Sequence, residues 1–137
     1  MSRVWPTVRI MALLIFVVVG TGCGATAVRE DAARKAAEGF HAAVGDRDAA
    51  RACGLLAPAT REDLEHSAGE GCSKAIMSAR IRSAGAVGHI DVYGDQARVV
   101  FAHDTVFLSA FSAGWRITAA GCHPRGERPY QCELRGD

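Results

Sequence analysis

An α+β fold, with helices first and an antiparallel sheet after them, is predicted by one change of rhythm near Gly85. Before it, apolar residues recur at helical spacing; after it they alternate with polar ones, as strands do. Two short turns in the second half, Gly94-Asp95 and Ser112-Ala113-Gly114, suit antiparallel neighbours. Runs of helices followed by runs of strands place the helices on one face of a sheet of about four strands.

The first helix spans about Arg29 to Val44, where Ala33, Ala36, Ala37, Phe40 and Val44 repeat on one face. Gly45-Asp46 stops it, and Asp46 or Asp48 can cap a second helix carrying Ala49, Ala52, Cys53 and Leu56. Pro58 ends that helix, and Thr60 can cap a short third one around Leu64. Gly69 to Ala84 reads as a fourth helix, with a broad apolar stripe through Cys72, Ile76, Ala79, Met77, Ile81 and Ala84. The strands follow at Ala86–Tyr93, Ala97–His103, Asp104–Phe111 and Trp115–Ala119. The two flanking Ser112–Gly114 are apolar on both faces and belong in the middle of the sheet. Trp115, Phe40, Phe101, Phe107 and Phe111 are the expected large core residues.

The chain has 137 residues, enough for one domain. Of 16 basic residues only two are lysine, and 25 residues are alanine, so helices form readily around small core side chains. A net charge of +1 excludes a nucleic-acid binder that works by bulk positive charge.

Arg3 and Arg9 precede Ile10–Val19, ten uncharged apolar residues, and then Gly20-Thr21-Gly22-Cys23. A basic start, a short apolar run and small residues form an export signal over 1–22. The run is short for a spanning helix, which needs about 20 apolar residues, and an uncleaved anchor is the alternative. Gly22-Cys23 resembles the end of a bacterial lipoprotein signal, although Gly20 stands where Leu is usual. The resemblance implies diacylglyceryl and fatty-acyl (palmitate-type) modification of Cys23, enough for stable attachment at the outer face of the cytoplasmic membrane. Without residues 1–22 the balance is 14 basic to 15 acidic side chains, so attachment falls to the acyl chains. The small residues 23–28 then serve as a lipidated tether, and 29–137 is the domain.

Cys53, Cys72, Cys122 and Cys132 remain, an even number in an exported chain, and read as two disulfides. Four cysteines allow three pairings; the sequence-local one, Cys53–Cys72 and Cys122–Cys132, is expected. The second would close a bent loop containing Pro124, Gly126 and Pro129. A zinc site fails on spacing, since there is no Cys-x-x-Cys and no His-x₃₋₅-His. No metal and no cofactor is predicted.

Ala36-Ala-Glu-Gly-Phe-His-Ala-Ala-Val-Gly-Asp46, Ala52-Cys-Gly-Leu-Leu-Ala-Pro58, Gly114-Trp-Arg-Ile-Thr-Ala-Ala-Gly-Cys122 and Tyr130-Gln-Cys-Glu133 carry a further likeness. Together they resemble small exported lipoproteins of high-GC bacteria with an NTF2-like (SnoaL-like) domain. The resemblance implies a curved sheet, helices over its concave side, and a cone that can hold a pocket. It does not imply an activity, because the superfamily contains isomerases, cyclases, transport factors and domains without chemistry.

His89, Asp91 and Tyr93 share one face of one strand and form the best ionisable cluster. Enclosed by the cone, they would be an acid/base group. Facing water, they are a solvated stripe, and the need of Ile90 and Val92 for the core favours that. His103 and Asp104 point to opposite faces as strand neighbours, and Asp104 reads as a strand-start or edge residue. His41 and His66 stand alone on helices. Arg125 and Arg128 could meet an anionic partner or line a solvated loop. The expected function is a membrane-tethered, non-catalytic domain that binds a protein or small ligand. An isomerase- or cyclase-type enzyme and a structural envelope lipoprotein are the alternatives.

Overall fold

The computed structural model describes residues 22–136. The expected export signal therefore lies outside the described residues except for Gly22, as does the side chain of Cys23. The first helix, α1 (Gly22–Gly45), begins earlier than the periodicity predicts and takes in residues 24–28. What reads as a tether is helical, because Ala25 and Ala27 are strong helix formers and extend the amphipathic segment behind them. No helix among the described residues is long and apolar enough to cross a membrane.

Three short helices follow: α2 (Ala49–Leu55), α3 (Pro58–Ala68) and α4 (Cys72–Ser78). Asp48 caps α2 by accepting the Arg51 N–H at 3.1 Å. Pro58 begins α3 rather than only ending α2, at the position where a missing N–H costs nothing. Thr60 is consequently inside α3 and buried, and its hydroxyl donates to the Thr118 carbonyl at 3.1 Å. The fourth helix is half its expected length. Gly69, left-handed at φ 65°, closes α3, and α4 ends where Ser78 Oγ donates back to Lys74 O. Residues 79–86 then run as irregular chain to the sheet.

The sheet has five antiparallel strands in sequence order: β1 (Val87–Tyr93), β2 (Gln96–Phe101), β3 (Thr105–Phe111), β4 (Gly114–Arg125) and β5 (Arg128–Arg135). The fifth corrects the expectation of four strands and a closing loop. Pro124 sits where the β4–β5 register shifts, and Pro129 lies on an edge strand. Those are the two places a sheet accepts proline, so a segment that looks like a loop is a hairpin turned at Gly126-Glu127. Cys122 faces Cys132 across that hairpin and is bonded to it; Cys53 in α2 is bonded to Cys72 in α4.

One face of the sheet carries Ala97, Val99, Phe101, Val106, Leu108, Trp115, Ile117 and Leu134, all buried beneath the helices. From α1 they meet Ala33, Ala37, Phe40 and Ala43, each fully buried. The α2–α3 junction is laced to the sheet by Ala57 N–H donating to Ile117 O at 2.8 Å. Phe107 and Phe111 are not in this core. They alternate with Val106 and Leu108 and so face the other side, where Phe107 meets Tyr130 edge-on at 5.1 Å and Phe111 is 44% exposed.

Candidate functional site

The sheet has a bulge where β4 passes β3. Thr105 pairs with Cys122 and Phe107 with Ala119, so β4 holds an extra residue there. Gly121 occupies the bulge at φ 65°, and a Cβ on it would lie 2.9 Å from the Glu133 Cβ. Only glycine fits that conformation and that space. The bulge turns the N–H groups of Gly121 and Cys122 out of the ladder. Both donate to the carboxylate of Asp104, Cys122 to Oδ1 at 2.8 Å and Gly121 to Oδ2 at 3.1 Å. Asp104 lies in the β2–β3 turn and is 6% exposed, so it is a buried anchor and not an edge residue.

His41, on α1, completes the group. Its Nε2 is 2.8 Å from Asp104 Oδ2, and the two side chains are 10% and 3% exposed. A carboxylate that accepts two backbone N–H groups makes Nε2 the protonated nitrogen, which fixes the tautomer of a singly protonated ring. Every buried side-chain nitrogen or oxygen among the described residues has a hydrogen-bond partner. His41 bonds through Nε2, so Nδ1 is the atom that touches solvent. His41 is thus not the isolated helical histidine the sequence suggests. The ring is held edge-on between Phe40 and Phe101, with centroids 5.6 and 5.1 Å away.

A cleft of about 400 Å³ opens beside this ring. Its apolar wall is Val44, Ile81 and Phe101; its polar groups are His41, Glu38, Arg82 and Ser83. The irregular segment after α4 supplies Ile81 to Gly85, so the shortening of that helix creates one wall. The volume falls within the usual range for small-molecule sites. A second, wider groove of about 740 Å³ runs between Glu30, Arg34 and Glu38 of α1 and residues 86–90. It has no buried polar group at its base.

The cluster expected from sequence divides. His89 Nε2 and Asp91 Oδ1 are 2.8 Å apart, and Arg98 Nε donates to Asp91 Oδ2 at 2.9 Å. Tyr93 is 75% exposed and takes no part. Ile90 and Val92 pack on the core from the other side of the strand. The Arg98 guanidinium, and then the hydrogen bond with His89, hold the Asp91 carboxyl below its ordinary range. A carboxylate so held is a weak base, and these side chains form a surface ion cluster rather than an acid/base site.

The sign of that shift gives a test. A depressed carboxyl pKa favours folding above the unfolded value and loses the benefit as pH falls through the folded one. Asp91→Asn is expected to lower the melting temperature slightly at neutral pH, less in high salt, and not at all once acid protonates Asp91. Calorimetry from pH 7 to pH 2 checks this; a difference that grows in acid would contradict it.

Among the described residues no three His, Cys, Asp or Glu side chains converge as a metal site. The sequence holds two signals that lead toward the bulge site. A lone glycine within a strand pattern, Gly121, marks a bulge, and an aspartate immediately before a strand, Asp104, can serve one. His41 carries no local signal, since its partner is 63 residues away. No known protein family, curated protein or solved structure matches the chain, so the candidate site rests on its own geometry.

Proposed function

We propose that this chain is an extracytoplasmic NTF2-like domain, anchored through lipid on Cys23, that binds a small ligand in the His41 cleft without transforming it. The observation that carries the reading is the solvent-touching Nδ1 of a histidine fixed from behind by Asp104, set in an apolar-walled cleft. When the ring holds one proton, Nδ1 accepts; when it holds two, Nδ1 donates. A hydroxyl answers either state, so the ligand class is a small apolar molecule bearing a hydroxyl group. The two disulfides are consistent with an oxidising compartment.

A second reading, an isomerase- or cyclase-type enzyme, draws on the same pair, because a carboxylate that fixes a histidine tautomer is how a general base is aimed. Binding is preferred because Asp104 is committed to two backbone N–H groups as well as to His41.

Phenol and anisole, which share a ring and differ in the O–H, separate ligand binding from surface adsorption. In NMR titrations of the full chain, phenol is expected to move the resonances of His41, Val44, Ile81 and Phe101, and anisole to move them less. His41→Phe should erase the difference. Shifts scattered outside the cleft, or equal responses to the two compounds, would sink the reading. The anchor is tested by metabolic labelling with a fatty-acid analogue: label is expected on the wild type and none on Cys23→Ser.

A further inference from the structure

Three large apolar side chains are exposed among the described residues: Val28, Tyr93 and Phe111, at 69%, 75% and 44%. They gather at one end of the fold. Tyr93 ends β1 at the Gly94-Asp95 turn, and Phe111 ends β3 at the turn into β4. The turns are neighbours, since Ala110 N–H donates to Asp95 O at 2.8 Å. Val28 joins them through the residue beside it. The Arg29 guanidinium donates to the Gly94 carbonyl, pairs with Asp95 at 3.6 Å, and stacks over Trp115 at 5.5 Å.

This is also the end from which α1 leads back to Cys23, the proposed lipid attachment point. The helix is continuous from Gly22, so no slack separates Cys23 from the sheet. At 1.5 Å per residue, Cys23 and Arg29 are about 9 Å apart along the axis. That is the depth of an interfacial layer, where amphipathic ring side chains such as tyrosine reside.

From this we infer that the α1 N-terminus and the β1–β2 and β3–β4 turns dock end-on against the surface of the bilayer that holds the anchor, with Val28, Tyr93 and Phe111 in its interfacial zone. The inference rests on the membrane attachment proposed above and adds an orientation to it. Arg29 and Asp95, the charges that hold the turn to α1, pair with each other, so the docking is apolar and needs no anionic lipid. The His41 end of α1 lies about 18 Å further along the helix, twelve residues on from Arg29, which places the cleft away from the membrane.

The chain contains two tyrosines, and they provide an internal comparison. Tyr130 packs on Phe107, four residues and about 13 Å back along β3 from Phe111. The full chain, labelled with 3-fluorotyrosine, is placed in phosphatidylcholine nanodiscs, and association is verified by flotation. A headgroup nitroxide lipid is expected to broaden the Tyr93 fluorine line at least several-fold more than that of Tyr130. A water-soluble gadolinium chelate should do the reverse, and 0.5 M salt should change neither. The exposed-site variant Tyr93→Phe assigns the lines, and Val28→Asp with Phe111→Asp should cut the lipid effect on Tyr93 while flotation persists. Equal broadening of both lines by the lipid probe would overturn the docking alone. Tyr93 shielded from both agents would assign the patch to a protein contact and overturn it too. A chain that does not float would overturn the anchor and the docking together.

Discussion

Replacing Asp104 by alanine is expected to destabilise the domain by about 3–5 kcal/mol, the range for removing one member of a buried charged network. The domain's whole stability is on the order of 5–15 kcal/mol, so the variant sits near the threshold for folding. The size follows from the count of donors left behind. Cys122 N–H, Gly121 N–H and His41 Nε2 all point at one carboxylate on a side chain that is 3% exposed. The bulge has already taken the two amides out of the ladder, so no strand carbonyl can replace Asp104. Asparagine should be intermediate. Its single oxygen can serve the Cys122 amide, and His41 can change tautomer to accept from the new amino group, but the Gly121 amide stays orphaned at about 1–3 kcal/mol. Urea denaturation gives the ranking, with the midpoint falling and the slope unchanged. A loss under about 0.5 kcal/mol for Asp104→Ala, typical of a surface site, would mean the carboxylate is replaced by water.

The same residue shows where a one-dimensional reading stops. Periodicity locates what is local: the α1 stripe through Ala33, Ala37 and Phe40, the Gly94-Asp95 turn, and the alternation of Val99 and Phe101 toward the helices. Each is set within a few residues by backbone geometry. The site is different in kind. His41 and Asp104 meet only because α1 runs the length of the sheet and β2 turns at its far end, facts of tertiary packing. The β4–β5 hairpin is hidden for a second reason. Pro124, Gly126 and Pro129 signal irregular chain, and only pairing with the neighbouring strand turns two prolines and a glycine into a bulge, a tight turn and an edge. Phe107 and Phe111 mislead because hydrophobicity alone does not set burial; their alternation with Val106 and Leu108 requires one pair to face away from the helices.

The bridge between Cys53 and Cys72 joins two helices of seven residues each, too short to be stable alone in water. Cross-linking positions 19 residues apart removes about 3 kcal/mol of chain entropy from the unfolded state. The Cys53→Ala, Cys72→Ala variant is therefore expected to lose about 2–5 kcal/mol. Alanine is the right probe, because both cysteines are buried, at 5% and 3%, and serine would add an unpaired hydroxyl. The loss should not be spread evenly. α1 and the sheet share the large core of Phe40, Leu108 and Ile117, whereas α4 contributes Ile76 and depends on the bridge to stay against α2. Amide exchange in α4 should accelerate far more than in α1 or β3, which reports local opening rather than global unfolding. Because the segment after α4 forms one wall of the His41 cleft, the phenol response should weaken in step. Unchanged protection of the α4 amides in the double variant would show that helix packing, not the bridge, holds that wall.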